Sequence, residues 1–216
     1  DPATDIRRSS NAFLVAEVDT GGDVTSIDAS LDRTTRTMRI AVGSYYNAAA
    51  CLLYELHLDT WQHLMDFGTK RDTPVWCCTQ CVALLNDVVA VGTYTGRVYL
   101  LHWHTGERCM LEHAEPGSIA ALKLLPSHMI SITRLGGMYV YERFGMTQAR
   151  LVAQHTVSPH PILSVSFGES CMARAGQLAS GTSTDPIPLA VMCADPVGIS
   201  HWVWRSTEEP TKIWHL

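Results

Sequence analysis

The segment from Asp87 to Glu107 reads as strand, tight turn, strand, tight turn, and parts of it recur along the chain. Arg39 to Tyr46 opens in the same way, and Met129 to Thr133 follows later. A unit of this size cannot bury its own apolar faces. It reaches a stable fold only by stacking on copies of itself. That requirement constrains this chain more than any single motif does.

Four such units can be laid over one another. In the second, Val75 to Leu84, Val88 to Thr93, Arg97 to Trp103 and Arg108 to His113 read as four successive strands. A shift of 41 residues carries Gly96 onto Gly137 and Trp103 onto Phe144. A shift of 101 carries Gly92 onto Cys193, Val98 onto Ile199 and Trp103 onto Trp204. The first unit supplies Val24 to Leu31, Met38 to Gly43, Cys51 to Leu58 and Trp61 to Phe67, with a central hairpin about four residues longer than the second unit's. Units of ~40–45 residues made of short apolar runs between turn residues specify four-stranded antiparallel blades. The expected fold is all-β, a β-propeller of about four blades belonging to a larger ring. Gly96 and Gly137 sit where a tight hairpin turn requires a positive φ. Trp103, Phe144 and Trp204 are expected to pack between blades.

Residues 1–12 are polar and read as a flexible N-terminal segment, with the propeller spanning 13–216. Within it, 168–188 is small and polar and reads as a surface-loop insertion. The net charge of −5 argues against a general nucleic-acid binder, although Arg33, Arg36 and Arg39 form a short basic stretch. Uncharged runs such as Ile40 to Tyr54 all fall short of the ~20 residues of a membrane helix, so no membrane insertion is expected. Seven cysteines without framework spacing fit reduced thiols in the cytoplasm or nucleus.

Thr105-Gly106-Glu107 after Trp103, together with the blade spacing, resembles the WD-repeat β-propeller family. His104 stands where that family prefers Asp, so the resemblance is to a degenerate member. It implies a non-enzymatic protein–protein interaction scaffold or substrate-recognition subunit, a ubiquitin-ligase adaptor among the roles, with other proteins of a multi-subunit assembly as partners. In this family the loops joining strands two and three, and those joining one blade to the next, meet at one mouth. Here those loops hold the candidate partner-binding residues Tyr45, Tyr46, Arg71, Tyr94, Arg134 and His160. Tyr and Arg suit such a surface because they bury large area and still offer directional hydrogen bonds.

Other chemistry is poorly supplied. The Cys78–Cys81 pair has no second pair to complete a zinc site, and on a strand its members face opposite sides. His102 and His104 would share one strand face as two ligands might, yet a lone pair beside a hairpin reads as ordinary surface. His155 and His160 read as residues of a connecting loop. No nucleophile elbow, phosphate-binding loop or His-Glu-x-x-His motif occurs. No catalytic residue, metal, cofactor or small-molecule ligand is expected. A propeller enzyme or metal-binding protein with a central-channel site is the alternative.

Overall fold

The computed structural model describes residues 22–32, 35, 37–45, 51–57, 60–67, 79–112, 117–144, 147–169, 189–204 and 211–215. Sixteen strands appear there, in four antiparallel sheets of four. The first blade holds β1 (Asp23–Asp32), β2 (Thr37–Tyr45), β3 (Cys51–His57) and β4 (Thr60–Phe67). The second holds β5 (Thr79–Leu85), β6 (Val88–Thr93), β7 (Arg97–His102) and β8 (Arg108–Glu112). The third holds β9 (Ile119–Leu124), β10 (His128–Thr133), β11 (Gly137–Phe144) and β12 (Gln148–Thr156). The fourth holds β13 (Ser164–Glu169), β14 (Leu189–Ala194), β15 (Ile199–Trp204) and β16 (Thr211–His215). Each blade is a meander in chain order, and the inner strands pack successively, β1 on β5 and β5 on β9. This is the expected all-β propeller arrangement. Among the described residues no helix is long and apolar enough to cross a membrane. Residues 1–12 and most of 168–188 lie outside the described residues, although β13 itself runs through Gly168 to Glu169.

The register of the third blade differs from the 41-residue expectation. Positive φ falls on Gly96 (85°) and on Gly136 (89°), not on Gly137. Trp103 N–H donates to Asp87 O, and the matching bond runs from Arg143 N–H to Ser127 O. The repeat from the second blade to the third is therefore 40 residues, and Arg143 rather than Phe144 takes the place of Trp103. A slip of one residue exchanges the two faces of a strand. Trp103 is accordingly 2% exposed, while Phe144 is 42% exposed beneath the Arg150 guanidinium. In the fourth blade the pairing Ala194–Ile199 matches Gly92–Val98, which keeps Val98 on Ile199 but puts Gly92 on Ala194 rather than Cys193. In the first blade, Gly43 and Cys51 enclose seven residues where Gly92 and Val98 enclose five, so that hairpin is longer by two residues, not four.

Blades meet large against small. Ala41, Cys51 and Leu53 of the first blade pack on Val89, Val91, Tyr99, Leu101 and Trp103 of the second. Ala83, Ala90, Val98 and Leu100 of the second then face Ile119, Met129, Tyr139 and Tyr141 of the third. Ile130, Ile132, Met138 and Val140 of the third face Val191 and Cys193 of the fourth, with Trp202 partly buried against them. Buried side chains such as Leu100 and Ile119 each contribute about 1.5–3 kcal/mol. A Cβ on Gly92 would come within 2.7 Å of Ile119 Cγ2, so the backbones here approach as closely as glycine allows. The inner strands carry a bulge at one recurring place, after Val24 in β1, Thr79 in β5 and Ile119 in β9. Each bulge increases local twist next to the hub.

Candidate protein-interaction rim

One edge of the propeller gathers the turns joining the second and third strands of the second, third and fourth blades. A side-chain oxygen at the start locks each of these three turns. Thr93 Oγ1 accepts the Arg97 N–H and donates to the Arg97 carbonyl, both at 3.0 Å. Thr133 Oγ1 repeats this on Gly137, accepting its N–H at 3.1 Å. In the fourth blade Asp195 Oδ1 accepts the N–H groups of Val197 and Gly198, at 2.8 and 3.0 Å.

The inter-blade connections bind these turns into one surface. Gly96 lies against Gly117, and Gly117 against Leu135. Arg134 N–H donates to Ser118 O at 2.7 Å, and Arg134 O accepts the Ile162 N–H at 2.7 Å. Ser158 Oγ donates to Asp195 Oδ2 at 2.5 Å and accepts the His160 N–H at 2.9 Å. The Ser158 hydroxyl, then the Val197 N–H, hold the Asp195 carboxyl below its ordinary range. His160 also acts on that carboxylate electrostatically.

Tyr94, Arg134 and His160 are all exposed on this rim, where Arg134 Nη1 donates to Ile162 O at 3.4 Å. Tyr94, at the tip of the second blade's turn, is 62% exposed. Tyr45 ends β2 and pairs with Asp23. Tyr46 and Arg71 lie outside the described residues. Leu135, Leu163 and Val197 are exposed on the same rim, and sequence reasoning did not single them out. A legible signal was present, because Leu135 and Val197 are apolar residues within turns.

The opposite edge is internally committed. Arg39 bridges Glu55 at 3.2 Å and Asp87, and its guanidinium lies 5.7 Å from the centroid of the Trp103 ring. The basic stretch therefore loses this charge to an inter-blade contact, and Arg33 and Arg36 lie outside the described residues. His102 is buried rather than ordinary surface. Its Nδ1 meets Thr105 Oγ1 at 2.8 Å and accepts the Thr105 N–H at 3.1 Å, which closes the following turn and engages that nitrogen. His155 belongs to β12 and not to a loop. No group of three His, Cys, Asp or Glu side chains suited to a metal occurs among the described residues. Burial pushes the Cys81 and Cys193 thiols up to about 12, so neither is poised as a nucleophile.

No protein-family model matches the sequence, and no curated protein does. Solved structures do match. The chain is similar to the computationally designed protein Ika4, with a TM-score of 0.58 and 14% identity, covering 91% of this chain and 99% of that one. It is similar to BBS1N, crystallised in complex with ARL6DN, with a TM-score of 0.59 and 13% identity over 87% of this chain and 52% of that one. It is also similar to Sqt1 of Saccharomyces cerevisiae, with a TM-score of 0.58 and 12% identity over 85% of this chain and 46% of that one. The chain thus spans about half the length of BBS1N and Sqt1. At these identities the likeness shows the fold, which is that of a β-propeller.

Proposed function

We propose that this chain is a non-enzymatic protein-interaction unit of a multi-protein assembly, and that it binds its partner through the rim carrying Tyr94, Arg134, Leu135, His160, Leu163 and Val197. The observation that carries this reading is the exposure of large apolar side chains on turns fixed by their own hydrogen bonds. Such turns need little further ordering on binding, so more of the contact energy appears as affinity. BBS1N, similar in fold, was itself crystallised with a protein partner. We read the chain as a divergent relative of WD-repeat propellers. The Thr105-Gly106-Glu107 turn, with Gly106 at a φ of 68°, supports that reading. Membership of a ubiquitin ligase is one form the assembly would take. The thiols of Cys51, Cys81, Cys109 and Cys193, none of them in a disulfide, suit the cytoplasm or nucleus.

The test is affinity purification of the native protein beside two variants. Leu135→Asp with Val197→Asp alters the rim, and His104→Ala alters the opposite edge. The expected result is a stable set of bound proteins that the rim variant loses and the His104→Ala variant keeps, with unchanged thermal stability in both. A rim variant that retains the whole set overturns the assignment. Stoichiometric metal in elemental analysis of the purified protein would favour a channel site instead.

A further inference from the structure

The rim carries a charge that the described residues leave without a counter-charge. Among the described residues of its turns and inter-blade connections, the side chains that carry or gain charge near neutral pH are Arg134, His160 and Asp195. Asp195 is fully engaged. Its Oδ1 accepts the Val197 and Gly198 N–H groups, and its Oδ2 accepts the Ser158 hydroxyl. His160 acts on that same carboxylate. Arg134 is held differently. Its backbone is fixed on both sides, the N–H by Ser118 O and the carbonyl by the Ile162 N–H, each at 2.7 Å. Its exposed guanidinium reaches Ile162 O from Nη1 at 3.4 Å, beyond the usual range of such a bond. Most of its N–H donors are left for another acceptor. Elsewhere Arg39 bridges Glu55 at 3.2 Å and Arg150 bridges Glu142 at 2.7 Å. Among the described residues no carboxylate takes that place at Arg134.

The ground beside that charge is apolar and closely built. Leu135, the next residue, is 59% exposed, and Tyr94 on the preceding blade is 62% exposed. A Cβ on Gly117 would come within 3.2 Å of Leu135 Cδ1, and one on Gly96 within 2.8 Å of Gly117 O. The turns of Tyr94 and Leu135 therefore meet through two residues that have no side chains. The second and third blades each have a described blade on either side, so this exposure belongs to the rim and not to an end of the chain.

Taking the rim as the binding surface, as proposed above, we infer that the partner presents a short protein segment with an Asp or Glu carboxylate set among apolar side chains. The carboxylate meets the Arg134 guanidinium, and its apolar neighbours cover Leu135 and Tyr94. Arginine takes a carboxylate through two parallel N–H···O bonds, each stronger than a bond between neutral groups. Apolar side chains closing around such a pair exclude water and strengthen it. The net charge of −5 decides among acidic partners. Nucleic acid or an anionic membrane meets the repulsion of the whole chain. A lone carboxylate among apolar residues answers to the charge nearest it, since more distant ones are screened by salt.

The test is selection of random peptides displayed on phage against the immobilised 216-residue chain. The selected peptides are then synthesised and titrated by fluorescence anisotropy. They are expected to be enriched in Asp or Glu beside Leu, Ile, Phe or Trp. Arg134→Gln, with unchanged thermal stability, is expected to weaken them by about 10-fold or more. Selection against Arg134→Glu is expected to bring out Lys or Arg in place of the acid. His104→Ala, on the opposite edge, is expected to bind as the wild type does. Peptides that lack acidic enrichment, or ignore Arg134→Gln, yet are lost on Leu135→Asp with Val197→Asp, overturn the acidic segment and leave the rim standing. Peptides that bind every variant alike overturn both. A selection that enriches no sequence overturns the acidic segment, and the affinity purification then decides the rim by itself.

Discussion

Trp103→Ala and Phe144→Ala separate the 40-residue register from a 41-residue one. Trp103 is 2% exposed among Ala41, Leu53, Val89 and Tyr99, in the seam between the first two blades. An aromatic side chain of this size buries about 150–250 Å², or about 4–6 kcal/mol at ~25 cal/mol per Å². Its Nε1 is buried without a hydrogen-bond partner, which returns about 1 kcal/mol when the indole is removed. The expected cost of Trp103→Ala is then about 3–5 kcal/mol, in line with other large aromatic truncations. For a domain of this size that lowers Tm by roughly 6–20 °C. Phe144, 42% exposed, loses mainly its stack with Arg150, whose guanidinium lies 5.1 Å from the ring centroid. That contact contributes about 0.5–1 kcal/mol, so Phe144→Ala is expected to shift Tm by only ~1–4 °C. Trp103→Phe keeps an aromatic ring and removes the unpaired N–H, so it is expected to cost under about 1.5 kcal/mol. Thermal and urea unfolding followed by far-ultraviolet circular dichroism give all three values. A Phe144→Ala cost equal to that of Trp103→Ala would refute the 40-residue register.

Three further outcomes are expected. Gly136→Ala places a Cβ 2.0 Å from Ser158 O at a φ of +89°, and should cost more than the ~1–2 kcal/mol of a left-handed residue. Gly137→Ala meets the Tyr139 side chain at 2.9 Å and should cost less, and urea titrations that give the reverse order would put the turn one residue later. The Asp195 carboxyl has a lower pKa folded than unfolded, so its stabilising effect is present above the unfolded value of 3.8 and fades as pH falls through the folded one. Tm should therefore fall more steeply for the wild type than for Asp195→Asn between about pH 5 and pH 2.5, and parallel curves would contradict the Ser158–Asp195 bond. Cys81 and Cys193, with thiols pushed up to about 12 by burial, should resist iodoacetamide in the folded protein and react after denaturation. Rapid native labelling of either would place it outside the inter-blade core.

Alternation of apolar and polar residues made most of the blades legible. The expected Val88 to Thr93 and Trp61 to Phe67 agree with β6 and with β4 to within one residue. What the alternation left ambiguous was phase. Gly136 and Gly137 are adjacent, either one can serve a turn, and the choice moves every residue of β11 to the opposite face. Phe144 then looked like the partner of Trp103 because it is aromatic, whereas the structural equivalent is Arg143, whose Nη1 donates to Leu125 O at 2.8 Å. His102 read as surface because sequence does not show that the Thr105 N–H and hydroxyl would close on its Nδ1. On the rim, Tyr94 and Arg134 were legible from their turn positions. Leu163 was not, because an apolar residue just before a strand reads as part of the strand.

The turns themselves separate positions that hold the hairpin from positions that do not. The first turn position is Thr93 in the second blade, Thr133 in the third and Asp195 in the fourth. All three are side chains with an oxygen that accepts a backbone N–H two to four residues on. The next position is Tyr94, Arg134 and Pro196, three side chains with nothing chemical in common, each of them exposed. A requirement of the turn accounts for the first set. No requirement of the turn accounts for the second, since the backbone bonds of these hairpins do not use those side chains. Chemistry that varies on a repeated, rigid frame is free to answer to something outside the frame. That is why the rim, rather than the buried histidine, the thiols or the Arg39 cluster, is where a partner of this chain should be sought.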